Sequence, residues 1–324
     1  MKRIAVLTSG GDCPGLNAGI RAVVRTALAH KLRIFGVRRG YAGLIAGDFI
    51  PLDGHAVSGL INRGGTFLLA TRSKKFRTSP ATIRKAAQAL ARRKIEGLVV
   101  FGGDGSLKGA LELAKVAKVA VIGVPKSIDN DVGGTDHSIG FDTAVNTAAE
   151  VIDKIRDTAT SHERLFLVET MGRKRGFLAL ATALAGGAEG VLLPEVRTDM
   201  ASLFRKLEEG KRHGKTSSII VVAEGDEAGG AFQIAKKIEK KLPGYDVRIS
   251  VIGHQQRGGA PSAFDRILAS QLGSAAVDAL LRGERTKLVA IRAGKIVLAP
   301  LQDASRIEKP LDPALLRLSD LLSR

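Results

Sequence analysis

GLVVFGGDGSLKGALELAKVAKVAVIGVPKSIDND, residues 97–131, carries the fold in miniature. Its first residues, Gly97–Phe101, form a short apolar run of β type that ends in Gly102-Gly103-Asp104-Gly105. A helical pattern follows over Leu107–Ala117, then a second apolar run, Val119–Val124, which ends in the polar turn Pro125–Asp131. The same rhythm extends outward. Upstream, a strand at Ile4–Leu7 leads through a glycine loop into a helix from Asn17 to His30. A strand at Ile34–Val37 and a helix at Pro80–Arg93 follow. Downstream, helices at Thr143–Ile155, Gly176–Ala185, Ser202–Gly210 and Phe232–Leu242 alternate with strands at Leu165–Glu169, Val191–Leu193, Ile219–Ala223 and Val247–Ile252. Alternation of this kind predicts largely parallel sheets covered by helices on both faces. At 324 residues the chain exceeds what one core usually serves, so two doubly wound α/β domains are expected. No Pro/Ser-rich linker marks the division near residue 140, as in a chain that crosses between domains more than once.

Composition narrows the class. Hydrophobic residues are 44% and charged residues 25%, ordinary for a folded protein. Trp is absent and aromatics are 4%, so Ala, Val, Ile and Leu must build the core. Cys13 stands alone, which excludes an internal disulfide and a cysteine-based metal site. The opening MKRIAVLTSGG has too short an apolar stretch for a signal peptide, and no run reaches the length of a membrane span. A cytoplasmic location is expected. The net charge of +18 admits nucleic acid as a partner, or an anionic small substrate drawn into a positive cleft. Basic residues spread along the chain, with few aromatics among them for base stacking, favour the second. Arg84, Lys85 and Arg92–Lys94, with Lys236, Lys237, Lys240 and Lys241, read as solvated faces.

Nearly all the unusual residues lie in loops after strands, where ligands bind in open α/β sheets. The first loop, Thr8–Asn17, is rich in glycine ahead of a helix. Its amide N–H groups and the helix dipole can receive an anion, although a plain tight turn would also read this way. Its spacing is neither G-x-G-x-x-G nor a P-loop. In the second, Asp104 stands among glycines before a helix. It can hold Mg²⁺ beside phosphate oxygens, or act as a helix N-cap. The third, Pro125–Asp131, carries Asp129 and Asp131 at i and i+2. In extended backbone they would point the same way, one as a base and one near a metal, with Lys126 neutralising phosphate charge. A surface Asx-turn cluster is the plainer alternative. Two more loops add cations: Met171-Gly172-Arg173 and Gly253–Gly259, the latter with His254 and Arg257. Arg suits a sugar phosphate because its fork grips two oxygens. Taken singly, Arg164 and Arg248 read as surface charges and His254 as a structural hydrogen-bonder.

The strings LTSGGDCPGLNA, INRGGTFL, GGDGS, PKSIDND, VETMGR, AEG and GHQQRGG, in this order from Ile4 to about Ala269, resemble the ATP-dependent 6-phosphofructokinase family. GGDG alone is shared with NAD and diacylglycerol kinases; the seven together are specific. The resemblance implies phosphorylation of fructose 6-phosphate at the C1 hydroxyl by ATP and Mg²⁺, in a cleft between two domains. The donor domain would be residues 1–141 with about 257–305, and the sugar domain 142–256 with about 306–324. Gly11, Tyr41, Arg72, Gly103, Gly105 and Ser106 would line the nucleotide, and Asp104 would bind Mg²⁺. Ser127 would meet the transferred phosphate, Asp129 would take the C1 hydroxyl proton, and Asp131 would support that base and the metal. Met171, Gly172, Arg173 and Glu224 would contact the sugar, and Arg164, Arg248, His254 and Arg257 its 6-phosphate. In the family, Arg164 and Arg248 come from a neighbouring subunit, which implies a homotetramer.

Two departures from the family stand out. Pyrophosphate-using members tend to have Asp at Gly105 and Lys at Lys126. Gly105 leaves space for an α-phosphate, so ATP is the expected donor, with pyrophosphate as the alternative. An effector site is partly matched by Arg21, Arg25, Arg156, Gly187, Glu189 and Lys215, but Gly54 replaces a usual Arg, and His213 and Ser217 depart from the basic pattern. Weakened anion binding follows, which leaves allosteric control open. Three other classes compete. An NAD or lipid kinase would explain GGDG alone, a nucleic-acid binder the charge alone, and a dehydrogenase lacks its G-x-G-x-x-G loop.

Overall fold

The computed structural model of the chain describes residues 1–71, 73, 76 and 78–323. They fall into two units: Met1–Thr143 with Arg257–Lys309, and Ala144–Gln256 with the chain from Pro310.

The first unit is built on a seven-stranded sheet of order β11-β10-β5-β4-β1-β2-β3. Its strands are β1 (Arg3–Thr8), β2 (Arg33–Val37), β3 (Phe49–Leu52), β4 (Gly97–Gly102), β5 (Ala120–Pro125), β10 (Lys287–Arg292) and β11 (Lys295–Pro300). The five inner strands run parallel, while β3 and β11 close the edges antiparallel. The β10–β11 edge is a hairpin and the β2–β3 edge returns through α2, and the alternating pattern announced neither. Strands β4 and β5 are buried at every residue, which is why they read as unbroken apolar runs. On one face, α2 (Gly40–Ala46), α3 (Pro80–Arg92), α4 (Asp104–Val116) and α10 (Asp303–Arg306) cover a core that includes Leu7, Leu44, Phe76, Leu90, Val100 and Leu113. On the other, α1 (Leu16–Ala29) packs on α9 (Ala263–Leu281). These two helices meet closely: a Cβ on Gly273 would lie 2.6 Å from the Gly19 carbonyl oxygen. Helix α9 is buried around most of its circumference, so it lacks the amphipathic stripe by which a surface helix is recognised.

Chain order locates a switch point here. From β1 the chain moves outward through β2 and β3, then returns to the opposite side of β1 as β4. The carboxyl ends of β1 and β4 border the crevice where open α/β sheets take ligands, and β5 adjoins β4.

The second unit has a four-stranded, wholly parallel sheet of order β7-β8-β6-β9, formed by β6 (Leu165–Thr170), β7 (Gly190–Leu192), β8 (Ser218–Ala223) and β9 (Val247–Val251). Helices α5 (Phe141–Ser161), α6 (Phe177–Ala185) and α11 (Pro313–Leu322) share one core with it, including Ile152, Val168 and Leu180. Helices α7 (Met200–Arg212) and α8 (Ala231–Lys241) share the other, including Leu203, Ile234 and Val222. Among the described residues no helix is long and apolar enough to cross a membrane. The two clusters read as solvated faces, around Arg84 and Lys236, are exposed.

Candidate active site

Three loops converge at the carboxyl ends of β1, β4 and β5. The β1 loop is tied to its neighbour by Ser9 N–H, which donates to the Phe101 carbonyl at 3.0 Å. The β5 loop is tied by Lys126 N–H, which donates to the Gly102 carbonyl at 3.1 Å. Gly10 (φ +91°) and Gly15 (φ +96°) hold left-handed backbone, which glycine adopts at little cost and which turns the β1 loop into α1. A Cβ on Gly10 would stand 3.1 Å from Ser106 Oγ and 3.4 Å from Lys126 Nζ. Backbone of the first loop therefore faces side chains of the other two across a space left by a missing methyl group. Asn17, buried at the start of α1, joins the strings LTSGGDCPGLNA and INRGGTFL. Its Nδ2 donates to the carbonyls of Arg63 and Gly64, each at 3.1 Å, and its Oδ1 accepts from Phe67 N–H at 2.9 Å.

Asp104 is the first residue of α4, and Gly103 occupies the N-cap without a side-chain bond, so the N-cap reading of Asp104 falls away. One carboxylate oxygen, Oδ2, accepts from Lys108 at 3.1 Å. The other, Oδ1, is buried with no hydrogen-bond partner among the described residues. A buried carboxylate oxygen without a donor, at a helix N-terminus among glycines, is a fit for a hard cation with oxygen ligands. No cluster of three or more metal-ligating side chains exists among the described residues. Mg²⁺ is commonly held by one or two carboxylates and the phosphates of its substrate, and Asp104 offers one such carboxylate. Ser106 is buried, and its hydroxyl donates to Ser9 Oγ at 3.1 Å. Tyr41 is buried too. Its hydroxyl donates to the Ser106 carbonyl at 2.6 Å and its ring stacks on Phe76 with centroids 4.0 Å apart. Burial pushes the phenol well above its ordinary range. Gly11 sits in the β1 loop, where its carbonyl accepts from the buried Lys126 ammonium. Arg72 lies outside the described residues.

The β5 loop is a turn, not the extended segment that the i, i+2 spacing suggested. Asn130 N–H donates to the Ser127 carbonyl at 3.3 Å, and Asn130 itself is left-handed at φ +49°. Asn tolerates this region, and its side chain holds it there. Oδ1 accepts from Ser138 N–H (3.0 Å) and Oγ (3.2 Å), and Nδ2 donates to the Asp136 carbonyl at 3.2 Å. The turn directs Asp131 back to Ser127, whose Oγ donates to Asp131 Oδ1 at 2.6 Å and accepts from Asp129 N–H at 3.2 Å. Asp129 is 3% exposed, which removes the alternative of a surface Asx cluster. Cys13 is a bystander. It is buried, donates to the Ile139 carbonyl at 3.3 Å, and burial pushes its thiol up to about 12, leaving it uncharged.

Arg257 is buried in the first unit, with Nη1 donating to the Asp12 carbonyl at 3.1 Å. It ends a 3₁₀ turn, Gly253–Arg257, on which His254 is exposed.

In the second unit, neighbouring strands β6 and β8 end in Met171-Gly172-Arg173 and Glu224. Arg173 N–H donates to Glu224 Oε1 at 2.7 Å, and Met171 N–H donates to Gln256 Oε1 at 2.8 Å. Gly172 (φ +147°) and Arg173 (φ +57°) are both at positive φ, which swings the Arg173 side chain to an exposed position. Arg164 and Arg248 lie elsewhere. Arg164 precedes β6 and Arg248 is the second residue of β9, both at the amino end of the sheet. Asp246 clamps the pair, accepting from Arg164 Nε at 2.8 Å and meeting Arg248 Nη1 at 2.6 Å.

Of the six effector candidates, four gather in this unit. Glu189 lies 3.5 Å from Arg156 and 3.2 Å from Lys215, and Arg156 also donates to the Gly187 carbonyl at 2.7 Å. Arg21 and Arg25 are on α1 in the other unit, where Arg25 donates to the Gly54 carbonyl at 3.0 Å. The sequence reading passed over Ser9, Asn130 and Ser138. Only the Asp-Asn-Asp order offered a signal, since Asn is among the few residues at ease in left-handed turns.

Glycine loops at a sheet's switch point, a lone carboxylate open to a cation and a buried carboxylate beside them define an α/β protein fitted to phosphate groups. A family model described as phosphofructokinase matches residues 3–280, and the chain belongs to that family. ATP-dependent 6-phosphofructokinase 1 of Thermus thermophilus is 52% identical over 323 residues, covering all of both chains. The ATP-dependent 6-phosphofructokinase of Halothermothrix orenii is 49% identical over 333 residues, again covering both. Among solved structures, Pichia pastoris phosphofructokinase in the T-state superposes with a TM-score of 0.85 at 35% identity, over 94% of this chain and 35% of that one.

Proposed function

We propose that this chain transfers the γ-phosphoryl group of ATP to the C1 hydroxyl of fructose 6-phosphate. The observation that carries the proposal is the pairing of Asp104 and Asp129 on loops after neighbouring strands of one sheet, in a chain about half identical over its whole length to ATP-dependent 6-phosphofructokinases. The first unit is read as the donor unit and the second as the sugar unit.

A primary alcohol is a weak nucleophile, and a carboxylate at its proton supplies a general base. Asp129 takes that part. Its backbone is held by Ser127, and Ser127 by Asp131, so the three act as one loop. Ser127 would also meet the transferring phosphoryl group. Gly11, Gly103, Gly105 and Ser106 would receive the nucleotide phosphates with backbone N–H groups and the α4 dipole. Tyr41 serves by seating α4 through the Ser106 carbonyl, since its hydroxyl is spent there. Asp104 would hold Mg²⁺, which when bound offsets charge on the phosphates. Arg173, Met171, Gly172 and Glu224 would orient the sugar, and Arg164, Arg248, His254 and Arg257 its 6-phosphate. The Lys126 ammonium adds positive charge against the β1 loop, tethered to the Gly11 carbonyl. ATP is the donor on this reading, as it is in the names of these relatives.

Strand direction supports an oligomer with shared sites. Arg164 and Arg173 flank the six residues of β6, about 20 Å of extended chain at ~3.3 Å per residue. One copy of the unit holds them at opposite ends of its sheet, which supports the reading that the arginines at the amino end would serve another copy's sugar. A homotetramer is the assembly proposed. The test is a coupled assay of fructose 6-phosphate turnover with ATP and, in parallel, with pyrophosphate. Turnover with ATP and Mg²⁺ is expected. Activity with pyrophosphate alone would reverse the donor assignment, and none with either would end the catalytic one.

A further inference from the structure

The chain after residue 285 holds the loop of the proposed base from behind. Residues 132–138 run from that loop along the β10–β11 hairpin and α10. Gly133 N–H donates to the Ala304 carbonyl at 3.1 Å, and a Cβ on Gly133 would collide with the carbonyls of Ile307 and Asp303. Arg292 Nε donates to the Gly134 carbonyl at 2.8 Å, and Asp136 accepts from Ala293 N–H at 2.6 Å. The contacts end at Asp136, whose carbonyl oxygen receives two donors: Asn130 Nδ2 at 3.2 Å and Lys309 Nζ at 2.6 Å. Asn130 is the left-handed residue of the turn between Asp129 and Asp131, so Lys309 and the turn share one acceptor.

Lys309 brings charge as well. Its ammonium is partly buried within electrostatic reach of the carboxylates of Asp131 and Asp136, with the exposed His137 nearby. Burial lowers its pKa to about 8, against the pull of Asp136 and Asp131. The ammonium thus shares its carbonyl with the turn residue and lies within electrostatic reach of the carboxylate that grips Ser127, so it ties the chain after residue 285 to the turn itself.

Resting on the function proposed above, we infer that Lys309 is a positioning residue for phosphoryl transfer: its charge, anchored on the Asp136 carbonyl, sets the Asp131–Ser127–Asp129 arrangement. Its loss then acts on turnover, not on substrate affinity.

The experiment measures kcat and KM for ATP and fructose 6-phosphate in wild type, Lys309→Met, Lys309→Gln and Lys309→Arg, with melting temperatures. Lys309→Met and Lys309→Gln should lower kcat about tenfold or more and leave both KM values within about threefold. Lys309→Arg, which keeps charge and donor, should restore most of the rate. If Lys309→Met fails to fold, Lys309→Gln decides. Wild-type kcat in a folded Met or Gln variant overturns the inference, as does an Arg variant as impaired as the Met one. An inactive wild type would instead count against the proposed function, which keeps the two failures apart.

Discussion

Replacing Gly10 by Ala tests whether the β1 loop is shaped for phosphate, and Gly47 supplies the control. Both glycines are left-handed, at φ +91° and +74°. An L-residue in that region costs about 1–2 kcal/mol, so each variant should be destabilised by about that much. Their surroundings differ. Nothing lies within 4 Å of a Cβ at Gly47, which caps the end of α2. A Cβ at Gly10 would press on Ser106 Oγ at 3.1 Å and touch Lys126 Nζ at 3.4 Å. Ser106 Oγ donates to Ser9 Oγ, and displacing it loses a buried hydrogen bond worth about 1 kcal/mol. Gly10→Ala should therefore cost about 2–3 kcal/mol in all, against about 1–2 for Gly47→Ala. The extra ~1 kcal/mol falls on the loop assigned to the nucleotide, so KM for ATP should rise about fivefold, at 1.4 kcal/mol per factor of ten. KM for fructose 6-phosphate should hold steady in both variants, and KM for ATP should hold steady in Gly47→Ala. Steady-state kinetics with one substrate varied and the other saturating, alongside thermal melts, provide the readout. The reasoning fails if Gly10→Ala keeps its ATP KM within twofold, or if Gly47→Ala raises it as much.

Other perturbations bear on the remaining parts of the site. Asp129→Asn should lower kcat by ~100- to 10,000-fold with both KM values little changed, as measured by the coupled assay. Asp104→Asn leaves Lys108 without its carboxylate and weakens the cation position; the Mg²⁺ concentration for half-maximal rate should rise several-fold in a magnesium titration. Asp246→Asn releases Arg164 and Arg248, so KM for fructose 6-phosphate should change while KM for ATP does not. Cys13 should resist alkylation in the native protein at pH 8 and react once unfolded, read by mass spectrometry, because the reactive thiolate is suppressed by burial. The same shift fixes a sign. The folded thiol titrates near 12 and the free thiol near 9, so Cys13 favours the folded state below pH 9 and its contribution is lost as pH rises toward 12. Denaturant midpoints across that window should fall less in Cys13→Ser than in wild type.

Much of the molecule was legible because burial and chemistry leave different marks. Strands β4 and β5 are covered on both faces and read as continuous apolar runs, while the polar loops beyond them interrupt those runs abruptly. Asp104 and Asp129 stood out for that reason. What escaped was either featureless or non-local. Helix α9 is buried around most of its circumference and its polar residues are scattered, so no stripe announced it. The shape of the Ser127–Asp131 turn depends on Ser138 and Asp136, several residues on, and the spacing of two carboxylates cannot tell a turn from an extended segment. Lys309 is more distant still: 173 residues separate it from the carbonyl it meets.

Arg164 and Arg248 show what direction adds to composition. As letters they are ordinary surface cations. Pairing in the parallel sheet sets Arg248 opposite Phe166, near the start of β6, while Arg173 follows the end of the same strand. Asp246 holds both arginines together at that start. On the proposed reading, a copy that lacks Arg173 and a copy that lacks Arg164 fail at different ends. Co-refolding Arg164→Ala with Arg173→Ala should then recover activity that neither has alone, because some sites in a mixed oligomer draw an intact residue from each copy. If the mixture stays as inactive as its parts, while each still assembles, Arg164 and Arg173 serve sites within one chain and the shared-site assembly is wrong.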